Sequence, residues 1–282
     1  MRIVSLLPSA TELVGELGLA GSLVGRSEQC DWPPAVLDVP VVTASRVDTS
    51  QLDGAEIDAA VRAALAEGRS LYAVDAELLE ELRPDVILTQ DLCAVCAVSS
   101  GELRDACATG ADVISVDAAT LEALYAVILG LAERLDVPEN GARVAANMKR
   151  RMDDVRRDVA ARPRPRVFVA EWLQPPFAPG HWVPDMVEAA GGECVLGRSG
   201  EPSFAVTWDE VRAARPEVVI AAPCGYDRER AAREAERHVP DLGCPVVPVD
   251  ANAHFSRCAP RIVDGIVELA RVLHPGALAA VA

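Results

Sequence analysis

Arg83-Pro84-Asp85-Val86-Ile87-Leu88 and Arg215-Pro216-Glu217-Val218-Val219-Ile220 decide the fold of this chain. In both stretches a proline closes an amphipathic helical pattern, and an apolar, β-prone run follows at once. Each run then enters a loop that carries cysteine. A repeated helix–strand–loop unit is the signature of α/β architecture with mostly parallel sheets. Arg2-Ile3-Val4 and Arg166-Val167-Phe168 are matching candidates for the strand that opens each half.

Outward from the first copy, strands are expected at Ile3–Leu7, Leu23–Arg26, Val41–Thr43, Val86–Gln90 and Val113–Val116. Helices are expected at Ala10–Leu17, Ala55–Glu67, Ala76–Leu82 and Glu102–Thr109. Ser9 and Thr11 are plausible caps for the first helix. Outward from the second copy, strands are expected at Val167–Ala170, Val218–Ala222 and Val246–Val249. The matching helices are Pro184–Ala190, Trp208–Ala214, Arg228–Arg237 and Pro260–Leu273. Between the halves, Leu121–Leu135 and Glu139–Ala161 are long helical patterns that stop at Arg162-Pro163-Arg164-Pro165. The expected organisation is an N-terminal α/β lobe at 1–118, a helical spine at 119–163 and a C-terminal α/β lobe at 164–282, with two Rossmann-like lobes facing one ligand cleft.

Composition narrows the function. The formal net charge of −16 argues against nucleic acid, whose phosphates need clustered cations. No apolar run reaches the roughly 20 residues that span a bilayer. Met1-Arg2 leads straight into a core-like strand, so no secretory leader is visible and a cytoplasmic location is expected. A chain already stripped of its leader, working outside the membrane, would read the same way. No Gly-rich phosphate loop, HExxH or Ser/His/Asp signature supports an enzyme.

Four cysteines fall at the carboxyl ends of expected strands, where open α/β sheets collect ligands. Cys93 and Cys96 form a Cys-x-x-Cys pair; Cys30 and Cys224 stand in separate loops. Thiolates in that arrangement suit zinc, copper(I) or an iron–sulfur cluster. Redox thiols and simple packing are the alternatives, since free cysteine is commonly buried. Cys107, Cys194 and Cys244 read as packing residues. The scarce aromatics concentrate on loops too: Trp32, Trp172, Phe177, Trp182, Tyr226 and Phe255 are candidate walls for a large, flat ligand. His181, His254 and Glu171 stand among them, and Asp91 adjoins the cysteine pair. His238 and His274 read as surface residues.

The opening Arg2-Ile3-Val4-Ser5-Leu6-Leu7-Pro8-Ser9-Ala10-Thr11-Glu12 resembles the start of class III substrate-binding proteins of the cobalamin and iron-siderophore type. Leu82-Arg83-Pro84-Asp85-Val86-Ile87, and Phe255-Ser256-Arg257 with Pro260-Arg261, are similar to their segments as well. More narrowly, Gln29-Cys30-Asp31-Trp32-Pro33, Cys93–Ser99 and Pro223–Asp227 resemble a leaderless, cobalamin-binding subgroup. The resemblance implies two lobes joined by a rigid helix and a bound corrinoid, haem or other metal chelate. For exported members it also implies delivery to a membrane ABC permease. His254 is the first candidate for an axial ligand to the chelated metal and His181 the second, with a hydrogen-bonded loop histidine as the alternative for each; if a permease is docked, Glu102 and Glu229 are the candidate contacts for its arginines. Cys258-Ala259 departs from the Pro-Gly common in the family and adds a possible fifth thiol.

Overall fold

The computed structural model describes residues 1–49, 52–68, 70–92, 98, 101, 103 and 110–276. Cys93, Cys96, Glu102 and Cys107, and the helix expected at Glu102–Thr109, lie outside the described residues. The chain divides into two compact units. One comprises residues 1–117 and 126–144, the other residues 118–125 and 145–282.

The first unit is built on a six-stranded sheet of order β4-β3-β2-β1-β5-β6. Its strands are β1 (Ile3–Ser5), β2 (Leu23–Ser27), β3 (Val41–Ser45), β4 (Tyr72–Val74), β5 (Val86–Thr89) and β6 (Asp112–Ser115). All pairings are parallel except β3 with β4. β1 and β5 are buried along their whole length, as continuous apolar runs in a sheet covered on both faces should be. Val4, Leu6, Val42, Leu79 and Ile87 anchor the core beside them. Helices α1 (Pro8–Glu16), α2 (Gly54–Ala66) and α3 (Ala76–Leu82) belong to this unit.

The capping expectation for α1 is corrected. The helix starts at Pro8 with Leu7 as its N-cap, and no side chain caps it. Proline at the first turn lacks the N–H a cap would serve. The Thr11 hydroxyl is used elsewhere, donating to Ser5 Oγ at 2.8 Å. By contrast, α2 carries a full capping box between Asp53 and Glu56.

The two long helices, α4 (Leu121–Arg134) and α5 (Pro138–Val159), contribute residues to both units. The second unit has a parallel four-stranded sheet of order β10-β7-β12-β13. Its strands are β7 (Arg166–Ala170), β10 (Glu193–Cys194), β12 (Val218–Ala221) and β13 (Val246–Pro248). Phe168, Val219 and Ala221 lie in its core. Helices α6 (Val183–Ala189), α7 (Trp208–Ala213), α8 (Arg228–His238), α9 (Ala251–His254) and α10 (Ile262–Leu273) complete it. An antiparallel three-stranded sheet, β8 (Trp172–Leu173), β9 (Pro176–Ala178) and β11 (Phe204–Ala205), was not foreseen and takes Trp172 and Phe177 out of loops into strands. His274 is also corrected: it is 5% exposed rather than a surface residue. Burial holds its imidazole below the ordinary histidine pKa.

Candidate functional site

In each sheet the strand order reverses beside the opening strand, and such switch points place ligand loops at the carboxyl ends of the strands on either side. In the first unit these are β1 and β5; in the second, β7 and β12. In the first unit Cys30 and Trp32 follow β2; in the second, Glu171 follows β7, and Cys224 and Tyr226 follow β12.

In the first unit, β2 leads into the loop carrying Cys30 and Trp32. Cys30 is fully buried. Its sulfur lies 2.9 Å from Thr11 Oγ1 and 3.9 Å from the Ser5 carbonyl oxygen. Trp32 is the exposed member, with 37% of its surface accessible. Arg26, at the end of β2, organises the loop; sequence reading used it only as the last residue of the expected strand Leu23–Arg26. It is 8% exposed. Its guanidinium donates to the carbonyls of Ser27 and Cys30 at 3.1 Å and of Leu37 at 3.2 Å. A guanidinium has five donors in a fixed fork, so one side chain can tie several carbonyls into one loop shape.

Cys93 and Cys96 lie outside the described residues, and the described residues on either side make contacts of their own. Asp117 accepts the backbone N–H groups of Asp91 and Leu92, both at 2.9 Å. The Thr89 hydroxyl donates to the Val98 carbonyl.

In the second unit, Glu171 follows β7 and Cys224 follows β12. The Cys224 N–H donates to the Glu171 carbonyl at 3.0 Å, joining the two switch-point loops. The Glu171 carboxylate accepts the Gly180 N–H, also at 3.0 Å. Trp172 stands edge-on to Tyr226, ring centres 5.3 Å apart, and the Arg230 guanidinium lies 3.9 Å from the Tyr226 ring centre. Tyr226 is buried and Cys224 exposed. His181 and Trp182 are stacked at 5.7 Å, and the Trp182 indole N–H donates to the Phe255 carbonyl at 2.8 Å. Phe255 itself is buried, so its backbone rather than its ring serves that contact.

His181 has φ of +48°, the left-handed region that costs a non-glycine residue energy. The conformation is held from both sides: its N–H donates to Glu201 at 2.7 Å, and its carbonyl accepts from Gly200 at 2.9 Å. Strained backbone of this kind clusters at binding sites. Burial also lowers the His181 pKa, which favours the neutral imidazole a metal requires.

His254 ends α9, with Nδ1 3.6 Å from Glu268 Oε2. Burial alone would raise the Glu268 pKa, but His254 and Arg228 together bring it below the ordinary carboxylate value. Glu229 lies exposed in the first turn of α8. Cys258 is buried, and desolvation pushes its thiol pKa far up, a packing environment rather than a thiolate site. Burial pushes Cys194 up to about 12, in keeping with the packing role expected for it. Among the described residues, no group of three or more His, Cys, Asp or Glu stands close enough to hold a metal ion. Among the described residues, no helix is long and apolar enough to cross a membrane.

Two parallel-sheet α/β units on one chain, each presenting aromatic and polar loop residues at its strand ends, define a two-unit ligand-binding protein. The chain belongs to the periplasmic binding protein family, whose model it matches over residues 3–239. A vitamin B12-binding protein of Vibrio cholerae is 25% identical over 223 residues, covering 78% of this chain and 70% of that one. The solved periplasmic vitamin B12 binding protein of Vibrio cholerae is similar in fold, with TM-score 0.66 and 22% identity over 96% of each chain. A periplasmic heme binding protein from Pseudomonas aeruginosa has TM-score 0.70 and 19% identity, over 98% of this chain and 93% of that one.

Proposed function

We propose that the protein is a non-enzymatic substrate-binding protein of ABC-transporter type for a corrinoid such as cobalamin, or a related chelate such as haem. The observation that carries this reading is the family match across most of the chain, together with the vitamin B12-binding relative. The aromatic side chains at the strand ends are chemically suited to such a ligand. Large planar chelates present apolar faces, and rings give much contact area at little entropic cost. Trp172, Tyr226 and Trp182, with Trp32 on its own loop, are the proposed walls. Phe255 contributes by fixing Trp182. Glu171 shapes the loop through Gly180. His181 is the favoured axial donor because its backbone is locked and its imidazole is kept neutral. His254 is the second donor, through Nε2, since Nδ1 is turned to Glu268. Glu102 and Glu229 are the proposed contacts for permease arginines. In this reading delivery takes place outside the membrane, as for the relatives named periplasmic; a cytoplasmic chain would bind the chelate without delivering it.

The test is titration with aquocobalamin and with haemin, followed by absorption, alongside cobalt and iron analysis of protein purified without oxygen. One-to-one binding of either chelate is expected. Trp172→Ala should weaken it about tenfold, the usual effect of truncating an aromatic anchor. Protein that carries neither metal and binds neither chelate would refute the reading.

A second reading takes the exposed Cys224 thiol at its switch-point loop, and separately the Cys93 and Cys96 pair, as ligands for zinc or an iron–sulfur cluster in a sensing, storage or redox role. Cys30 joins them only by giving up its Thr11 contact, and Cys258 is excluded from the set by its packing. Cys93→Ser/Cys96→Ser protein is then expected to lose its bound metal. Full metal content in that variant would sink the idea.

A further inference from the structure

Arg230, in the first turn of α8, lies over an aromatic ring instead of beside a carboxylate. Its guanidinium carbon is 3.9 Å from the centre of the Tyr226 ring, and Tyr226 is 5% exposed. Trp172 meets the same ring edge-on, so a cation and two aromatic side chains are collected beside the carboxyl ends of β7 and β12. The backbone beneath them is fixed. The Asp227 carboxylate accepts the Arg230 N–H at 2.7 Å, and the Tyr226 carbonyl accepts the Asn252 N–H at 3.0 Å. The usual partner of a helical arginine is a carboxylate three or four residues away. For Arg230 these are Asp227 and Glu234. Asp227 serves as the N-cap of α8, and Glu234 is turned to Arg237 at 3.1 Å and His238 at 3.3 Å. Among the described residues the Arg230 guanidinium has no hydrogen bond or ion pair, and its contact is the Tyr226 ring. A cation over a ring face is held electrostatically and spends no donor on an acceptor, so its five N–H groups remain for one. Arg230 is part-buried, which strengthens an ionic contact made there relative to open solvent.

We propose that Arg230 is a specificity-determining residue of the strand-end site in the second unit, where it selects a chelate that carries a carboxylate on its macrocycle. The inference rests on the chelate reading and narrows it. Macrocycle and side arm are then read by adjacent groups. Trp172 offers a wall to the ring, and Arg230 takes the carboxylate through paired N–H donors, the geometry in which guanidinium and carboxylate match. Tyr226 steadies Arg230 before the ligand arrives, which lowers the entropic cost of ordering a long side chain. Haemin carries two carboxylates. The side arms of cobalamin end in amides, apart from its nucleotide phosphodiester, and a neutral amide is a weaker acceptor than an anion. The favoured ligand is therefore a tetrapyrrole with an acidic side arm rather than one whose arms are amidated.

The test compares haemin with its dimethyl ester, which keeps metal and macrocycle but removes both charges. Both are titrated by absorption in the same dilute non-ionic detergent, with aquocobalamin alongside. The parent protein is expected to bind haemin about tenfold more tightly than the ester, as gain of one charge-assisted contact predicts. That margin should shrink as salt is raised. Arg230→Gln should weaken haemin about tenfold and leave the ester within about twofold, so that the variant no longer tells them apart. Arg230→Lys keeps the charge without the fork and should recover part of the margin. A merely structural Arg230 gives another pattern, with haemin and ester weakened alike by Arg230→Gln. That pattern, or a parent protein that binds the ester as tightly as haemin, overturns the inference and leaves the chelate reading standing. So does binding of aquocobalamin without haemin. A parent protein that binds none of the three overturns both.

Discussion

Gly180→Ala is expected to destabilise the protein by about 3 kcal/mol, at the upper end for overpacking, because the obstruction is main chain. The added methyl would lie 2.6 Å from the Pro202 carbonyl carbon and 2.7 Å from the Glu201 oxygen, with the Ser203 nitrogen closer still. A flexible side chain could rotate away from such a contact. Here the 201–203 backbone must move, and it is tied down by the His181 N–H bond to Glu201. Gly180 also donates to the Glu171 carboxylate, so relief of the clash pulls on the switch-point loop. Thermal unfolding should show a fall in Tm of roughly 6–12 °C, from the usual scaling for a chain of this size. Gly21→Ala is the control, since nothing lies within 4 Å of its added methyl, and it should move stability by no more than about 0.5 kcal/mol. Equal Tm values for the two variants would show that the 201–203 segment yields freely. In the proposed function, Gly180→Ala should also weaken chelate binding, because His181 is displaced with the turn.

Arg26→Met is expected to cost about 3 kcal/mol and to loosen the loop of Cys30 and Trp32. Methionine replaces the aliphatic stem but supplies no donor. The carbonyls of Ser27, Cys30 and Leu37 then lose the guanidinium, and each hydrogen bond to a charged group is worth about 1.5–3 kcal/mol before relaxation. Water will reach some of these oxygens, which keeps the total near the value of one or two bonds. Hydrogen exchange over residues 27–37 should rise in the variant while β5 and β12 stay protected. Unchanged exchange would mean that the loop keeps its shape without Arg26. Arg26→Lys tests geometry against charge: one ammonium cannot reproduce the fork, so only partial recovery is expected.

The central strands were legible because a parallel strand covered on both faces must be a continuous apolar run. The strands expected at Val86–Gln90 and Val218–Ala222 were read from such runs and form at Val86–Thr89 and Val218–Ala221. The antiparallel sheet of β8, β9 and β11 escaped because two- or three-residue strands leave no period to detect. Ser9 and Thr11 were misjudged as caps because Pro8 moves the helix start back, and the Thr11 hydroxyl has a better use against Ser5 and Cys30. His274 was misjudged because a polar residue after a helix is usually exposed, whereas this one packs beside Gly191, remote in sequence.

For the site, position along the chain was enough to place Glu171, Trp172, Cys224 and Tyr226 at strand ends, because the end of an apolar run marks where a strand stops. What each group does there was decided by distant partners. Cys30 is occupied by Thr11, Arg26 grips carbonyls up to Leu37, and His254 turns to Glu268. The sequence alone therefore determined the alternation of strands and helices, the two-unit plan and the family, since these follow from local periodicity and motif. Only the tertiary structure decided which thiol is buried, which cation shapes a loop and which cation lies over an aromatic ring. Those properties depend on desolvation and on contacts between residues far apart in the chain, and no local pattern encodes them.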